Sequence, residues 1–207
     1  MDEGSGVMSY ISNQKMTLAL LGVDPDGSIS SGIGGITRLQ KYLYLLTIEE
    51  KIEPSGKGFE FKAYKAGPYS SKLYDDLEFL ENLGLIESEI TAVATDEEAI
   101  EIGDLSFDDL MGDSAELNED GKLVDGFGAS DAYDERRYIL TQEGKEKVQE
   151  LLDNPEFRPV IDSIRKIKSK FNNYSLSDLL YYVYTRYPEM TVESEIKDKI
   201  LKHGRRL

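Results

Sequence analysis

The chain has 207 residues, of which 40% are hydrophobic and 10% aromatic, as is typical of a protein that buries a core. It has no cysteine and one histidine, His203, which excludes disulfides, thiolate chemistry and multi-histidine metal sites. The net charge is −16, and no apolar run reaches the roughly 20 residues of a membrane-spanning helix. We therefore expect a cytoplasmic protein that is not an enzyme, has no cofactor and does not bind a membrane.

The negative charge is concentrated in one segment. Residues 87–135 contain seventeen acidic side chains and one basic side chain, Lys122, and therefore carry a net charge of −16. The other residues are neutral overall, because residues 1–86 carry −4 and residues 136–207 carry +4. Five glycines and scattered apolar residues in 94–134 predict a long acidic insert there rather than a regular element.

The first third of the chain predicts two helices and a strand. Apolar residues within 8–21 predict a short helix, and the Gly- and Ser-rich stretch that follows, to Gly35, predicts a flexible segment. A helix is predicted over residues 36–51, buried through Ile36, Leu39, Leu43 and Leu46. Alternation of apolar and polar residues over 59–64 then predicts a short strand.

The helix predicted over residues 70–83 is the element around which we expect the domain to be organised. Pro68 disfavours helix before it, and Ser70 or Ser71 can serve as the N-cap. Gly84 predicts a left-handed C-cap, after which a strand is predicted over residues 85–93. The apolar stripe of this helix is predicted to contain Leu73, Tyr74, Leu77, Phe79 and Leu80.

The remaining residues predict one strand and four helices. The strand covers residues 136–140, and Thr141 caps a helix that ends at residue 152. Two helices follow over residues 159–171 and 175–187, the second begun by a capping box at Ser175. The last helix is predicted over residues 191–201 and buried through Val192, Ile196 and Ile200.

Two motifs and the order of these elements resemble winged helix-turn-helix regulators of the MarR and PadR type. The motifs are Gly-Leu-Ile at residues 84–86 and Tyr-x-Leu-Thr-x-Glu-Gly at residues 138–144. The resemblance covers 36–152 and implies a mainly α fold with a small β-wing (α+β), whose wing tip is enlarged by residues 94–134. Residues 1–35 would add an N-terminal helix and a flexible segment, and residues 153–207 a helical C-terminal region.

A second, partial resemblance is to the Panacea domain of SocA-like antitoxins. It is carried by Leu-Gln-Lys-Tyr-Leu-Tyr at residues 39–44, the aromatic strand that follows, and Gly-Pro-Tyr at residues 67–69. This resemblance implies a regulatory or antitoxin-like adaptor. Residues 153–207 match neither pattern.

The winged-helix resemblance implies a transcription regulator that binds double-stranded DNA, with the helix at residues 70–83 entering the groove. The residues expected to contact DNA are Tyr69, Ser70, Ser71, Lys72, Arg136, Arg137, Arg165 and Lys166. The rest of that helix carries Asp75, Asp76, Glu78 and Glu81, which would repel phosphate. The alternative is therefore a non-catalytic protein-interaction or antitoxin-like adaptor that keeps the fold without strong DNA binding.

Three uses are open for the basic residues between Arg158 and Lys170. They can contact nucleic acid, receive the acidic insert, or form the solvated side of amphipathic helices. A dense set of tyrosines in the helix over 175–187 suits a dimer or partner interface, with Tyr181, Tyr182 and Tyr184 as the expected contacts. No metal site is expected, because the two loops that partly resemble calcium loops lack the closing carboxylate.

Overall fold

The computed structural model of the chain describes residues 11–30, 32–92 and 134–203. Over these residues it contains seven α-helices, a three-stranded antiparallel sheet and a two-stranded antiparallel sheet. The predicted α+β class is confirmed. None of the described helices is both long and apolar enough to span a membrane. The insert predicted at residues 94–134 lies, except for Asp134, outside the described residues.

The elements follow one another in two groups, on either side of residues 93–133. The first group is α1 (Asn13–Gly22), β1 (Gly32–Gly34), α2 (Ile36–Ile48), β2 (Lys62–Tyr64), β3 (Gly67–Tyr69), α3 (Lys72–Asn82) and β4 (Ile86–Ala92). The second group is β5 (Asp134–Leu140), α4 (Gln142–Asp153), α5 (Arg158–Phe171), α6 (Leu176–Arg186) and α7 (Lys197–His203). Short 3₁₀ turns at Pro155–Phe157 and Pro188–Thr191 precede α5 and α7.

Side-chain caps begin three of the helices. The hydroxyl groups of Ser12, Thr141 and Ser175 accept hydrogen bonds from first-turn amides of α1, α4 and α6 at 3.2, 3.0 and 3.0 Å. Such amides have no acceptor within the helix, so each cap stabilises the start of its helix by about 1 kcal/mol. The caps at Thr141 and Ser175 are those predicted from the sequence. At α3, Ser71 takes the N-cap position without a side-chain cap bond.

The larger sheet has the strand order β1-β5-β4. Strands β4 and β5 pair antiparallel from Ile86 opposite Leu140 to Ala92 opposite Asp134, so the ribbon predicted around the insert is present. Strand β1 was not predicted, because its glycines indicated a flexible segment. A Cβ atom at Gly32 would overlap the Tyr138 carbonyl oxygen, so glycine permits the close approach of β1 to β5.

A single core joins the N-terminal helix to the elements that follow. Helix α1 packs against α2, α3, α4 and α5, and Met16, Leu20 and Leu21 are fully buried. On α3, the predicted inward-facing leucines are confirmed: Leu73, Leu77 and Leu80. Residues 11–35 therefore share their core with residues 36–152.

Two apolar residues predicted to be buried are exposed. Phe79 is 49% exposed, because it lies on the side of α3 opposite the leucines. Val192 is 70% exposed, and the predicted start of the last helix at residue 191 is wrong. Pro188 begins a 3₁₀ turn instead, and α7 starts only at Lys197, which leaves Val192 outside a helix.

Candidate functional site

The helix α3 presents one side to the core and the other to solvent. Its solvent side carries Asp75, Glu78, Phe79, Asn82 and, just after its end, Leu83. We refer to these five residues as the α3 face. Phe79 and Leu83 are 49% and 55% exposed, and their separation by four residues places them next to each other. The α3 face therefore combines two carboxylates with an exposed apolar pair.

The strand that follows α3 also carries exposed carboxylates. Glu87 and Glu89 on β4 are exposed, whereas the α3 face itself includes no basic residue. Carboxylates near a phosphate backbone remove attraction and add repulsion, so this arrangement disfavours DNA. Large exposed apolar side chains next to each other are instead a feature of protein interfaces.

The start of α3 holds half of the predicted DNA-contacting residues, and Ser70 is buried among them. Its hydroxyl group donates to the Phe59 carbonyl oxygen. Its backbone N–H donates to the Gln40 side chain at 3.0 Å, and its carbonyl oxygen accepts from the same side chain at 2.9 Å. The side chain of Ser70 is thus directed into the fold and not to the surface.

The other three DNA-contacting residues predicted near the start of α3 are Tyr69, Ser71 and Lys72, and they differ in their exposure and in the contacts they make. Ser71 is exposed. The Lys72 ammonium group lies 2.9 Å from the Glu60 carboxylate and donates to the Gly58 carbonyl oxygen at 3.0 Å. Tyr69 is half-buried, and burial raises the pKa of its hydroxyl group.

Tyr69 also belongs to a row of aromatic rings that links the β2–β3 hairpin to α3. Its ring centroid lies 4.8 Å from that of Tyr64 and 6.0 Å from that of Tyr74. The Lys62 ammonium group lies 5.8 Å from the centroids of both Tyr64 and Tyr69. Tilted aromatic rings with a cation over them attract one another, so this row holds the hairpin against the first turn of α3.

The two predicted arginines of the wing lie on β5. Arg137 is exposed, and its cross-strand partner on β4 is Glu89. An acidic residue directly opposite an arginine reduces the positive charge that the ribbon presents. Of Arg136 the structure describes only the backbone, which is paired with Ile90.

Four of the five basic residues of α5 contact the chain itself, and the predicted Arg165 and Lys166 are among them. The pairs are Arg165 with the Pro25 carbonyl oxygen (3.2 Å), Lys166 with Glu50 (2.7 Å), Lys168 with Asp24 (4.0 Å) and Lys170 with Glu49 (2.8 Å). These contacts join α5 to the α1–β1 loop and to the end of α2. Their partners lie more than a hundred residues away in the sequence, which is why the sequence, although it left a contact with the acidic insert open, did not indicate these partners.

The tyrosines predicted as an interface are directed mainly inward. Tyr184 is buried, and its hydroxyl group lies 2.8 Å from that of Ser194. Tyr182 donates to the Glu49 carboxylate at 2.6 Å and is half-buried, as is Tyr181. Of the three, Tyr181 and Tyr182 have a part that reaches the surface.

Two buried polar residues on α2 connect sequence motifs that are far apart in the chain. Gln40 bonds the backbone of Ser70, as described above, and the Lys41 ammonium group donates to the Pro68 carbonyl oxygen at 3.0 Å. Burial lowers the pKa of Lys41 to about 7. The motif at residues 39–44 thus contacts the Gly-Pro-Tyr motif directly. Sequence reasoning identified both motifs but not their pairing.

A buried carboxylate lies between α1 and α3. Asp76 is 3% exposed; its Oδ1 atom accepts from Gln14, and its Oδ2 atom has no hydrogen-bond partner. Burial raises its pKa to about 6.

Within the described residues, no group of three or more ligating side chains is placed to hold a metal ion. No protein-family model, curated protein or solved structure significantly matches the chain.

Proposed function

We propose that this chain is a winged-helix-like interaction module, an antitoxin-like adaptor whose α3 face binds a basic segment of a partner protein. Support for the fold part of the proposal comes from the order of α1, β1, α2, α3 and the β4–β5 ribbon. Support also comes from the pairing of β1 with β5 in the same sheet. Contact between the motifs at residues 39–44 and 67–69 supports the adaptor part.

One observation favours a protein over DNA as the binding partner. The side of α3 that would enter a groove carries Asp75 and Glu78 beside the exposed Phe79 and Leu83. Protein interfaces gain most of their affinity from a few apolar anchors, and complementary charge selects the partner. A segment with lysine or arginine around one or two large apolar side chains has the chemistry that this surface would recognise.

Double-stranded DNA is the second candidate partner. It is favoured by Arg137, which is exposed on the ribbon, and by Ser71, which is exposed at the start of α3. A regulator of this kind would read DNA with the first residues of α3 and place the ribbon along the backbone. Glu89 opposite Arg137 and the carboxylates of the α3 face weigh against it.

Fluorescence anisotropy at low ionic strength tests the two candidates side by side. The probes are a short random DNA duplex and a helical peptide with lysine and leucine at spacings of four. We expect the peptide to bind and the duplex not to bind. Light scattering on the same sample gives the mass and tests the expected homodimer.

A charge reversal locates the interaction. We expect D75K/E78K to weaken peptide binding at least about tenfold, since two rim charges are lost and two repulsive ones added. The matched control is E156K/D162K, where two exposed carboxylates are reversed just before and on α5, outside α3 and β4. Duplex binding that is lost in R137Q, together with no peptide binding, would replace this proposal with the DNA-binding one.

A further inference from the structure

A cavity of about 450 Å³ with polar lining residues lies beside the start of α1 and the first residue of α3. The exposed apolar pair, Phe79 and Leu83, lies towards the other end of α3. The lining of the cavity includes Asn13, Gln14, Lys15, Ser55, Lys57 and Lys72. We refer to it as the lysine groove. The lysines come from three separate parts of the chain, so the fold and not the local sequence brings them together.

The charges of the lysine groove are only partly neutralised within the chain. Three of its lining residues carry an ammonium group and none carries a carboxylate. Glu60 pairs with Lys72 at 2.9 Å. Lys15 and Lys57 are exposed and take part in none of the ion pairs between residues that the structure describes. Glu60 also interacts with Lys57, and the buried Asp76 carboxylate accepts from the lining residue Gln14. Three ammonium groups against the two carboxylates Glu60 and Asp76 leave one positive charge beside the cavity.

The walls of the groove are held in place by their own hydrogen bonds. Asn13 and Lys72 both donate to the Gly58 carbonyl oxygen, at 3.1 and 3.0 Å. This shared acceptor ties the loop before β2 to the first residues of both α1 and α3. A site whose walls are already fixed loses less entropy when a ligand binds.

The backbone at the start of α1 adds donors to the side chains. Ser12 caps the Lys15 amide, whereas the preceding amides of Asn13 and Gln14 have no intrahelical acceptor and lie among the lining residues. The positive end of the ten-residue helix dipole favours an anion at the same place. Ammonium groups and the backbone amides at the start of α1 thus belong to the residues that line one cavity.

We propose that the lysine groove binds a phosphate-class oxyanion. The residues that carry the charge in this site lie outside the α3 face, so the proposal is independent of the proposed function. The cavity is larger than a single phosphate group and has room for the rest of a phosphorylated molecule. Two sources share this chemistry: a free phosphorylated small molecule and a nucleic-acid phosphodiester.

Amide NMR spectroscopy of the full chain tests the site with pyrophosphate as the probe. We expect saturable shifts at Asn13, Gln14 and Lys57 that sodium chloride at matched ionic strength does not produce. K15Q and K57Q should each weaken binding by about tenfold, the loss of one charge-assisted hydrogen bond. Both lysines are exposed, so an otherwise unchanged spectrum verifies the fold of each variant.

The matched control is K147Q, which removes one exposed lysine on α4 where it pairs with Glu150. This variant should bind pyrophosphate within about twofold of the wild type. A duplex that shifts the same amides and competes with pyrophosphate identifies a phosphodiester source; a duplex that leaves them unshifted identifies a free phosphate. No saturation up to about 10 mM pyrophosphate, or equal weakening by K147Q and K57Q, would overturn the proposal.

Discussion

The Lys41 ammonium group donates a hydrogen bond of 3.0 Å to the Pro68 carbonyl oxygen from a position that is only 2% exposed. This contact joins the centre of α2 to β3. It places an ionisable group in a low-dielectric environment, where the charged form is disfavoured. Burial accordingly lowers the pKa of Lys41 to about 7, from 10.5 in an unfolded chain.

Lys41 should make the stability of the fold depend on pH above neutrality. Between pH 7 and pH 10.5 the unfolded chain binds a proton at Lys41 that the folded chain has released. The free energy of unfolding therefore rises with pH in this window, on the order of 1 kcal/mol per pH unit. Urea denaturation of the wild type and K41M should show that the free energy of unfolding of the wild type increases relative to that of the variant as pH rises. A difference between the two free energies that does not change with pH would contradict this.

Asp76 should have a pH dependence of the opposite sign. Burial raises its pKa to about 6, above the unfolded value of 3.8, so its contribution is most favourable below pH 4 and is lost as pH rises through 6. D76N keeps an oxygen for the hydrogen bond from Gln14 and removes the buried charge. We expect D76N to be more stable than the wild type by about 1–2 kcal/mol at pH 7.

Chemical denaturation at pH 7 and pH 4 measures this effect, and the advantage of D76N should shrink at the lower pH. D162N removes an exposed carboxylate from α5 and serves as the control, with an expected change under about 0.5 kcal/mol. A D76N variant that is less stable than the wild type at pH 7 would show that the carboxylate is needed as a charged acceptor.

Glu49 is a half-buried carboxylate whose partners reverse the effect of burial on its pKa. Burial alone raises its pKa, but hydrogen bonds from Lys170, Tyr182 and Tyr187 together bring the pKa below the usual value. Its contribution to stability is therefore present at neutral pH and lost as pH falls through the lowered pKa. E49Q should cost about 1–2 kcal/mol at pH 7 and progressively less in acid.

The adjacent Glu50 provides the control for Glu49. Its side chain is 12% exposed, close to the 17% of Glu49, but its ion-pair partner Lys166 is 69% exposed, so this ion pair is screened by solvent. E50Q should lower the midpoint of thermal unfolding less than E49Q does at pH 7. Equal effects of the two variants would mean that the hydroxyl groups of Tyr182 and Tyr187 do not stabilise Glu49.

Gly144 joins the two sequence motifs of the winged-helix resemblance. A Cβ atom at this position would overlap the carbonyl oxygen of Leu85, which also accepts from the Thr141 amide at 3.1 Å. Because the obstacle is backbone, G144A should destabilise the fold by more than about 3 kcal/mol. The control is G56A, where a Cβ would meet open space, and it should destabilise the fold by about 1 kcal/mol because of the positive φ. Equal decreases in the denaturation midpoints of G144A and G56A would contradict the predicted clash with Leu85.

Local signals predicted much of the helical structure correctly. Leucine spacing identified the buried side of α3, and a hydroxyl residue before an apolar run identified the starts of α4 and α6. The strands β1 and β3 were missed, because two of the three residues in each of Gly32–Gly34 and Gly67–Tyr69 are glycine or proline, which are typical of turns. Their pairing depends on partners elsewhere in the chain and has no periodicity of its own.

The candidate site was accessible to sequence reasoning only in part. The carboxylates of α3 indicated an acidic surface, but the exposure of Phe79 depends on which side of the helix meets α1. In the sequence, Ser70 and Lys72 indicated hydrogen-bond donors available to DNA, whereas in the structure they contact Phe59 and Glu60. The lysine groove combines Lys15, Lys57 and Lys72 from three regions, which no spacing in the sequence brings together.

The last pair of the β4–β5 ribbon, Ala92 opposite Asp134, makes the end of this ribbon a suitable place to insert another sequence. Chain ends that leave a sheet side by side can be joined by a tight Asn-Gly turn or by a folded tag, since the entropy of closure rises only with the logarithm of length. The remainder of the protein should tolerate either exchange. Such chimaeras would let the α3 face and the lysine groove be studied without residues 93–133.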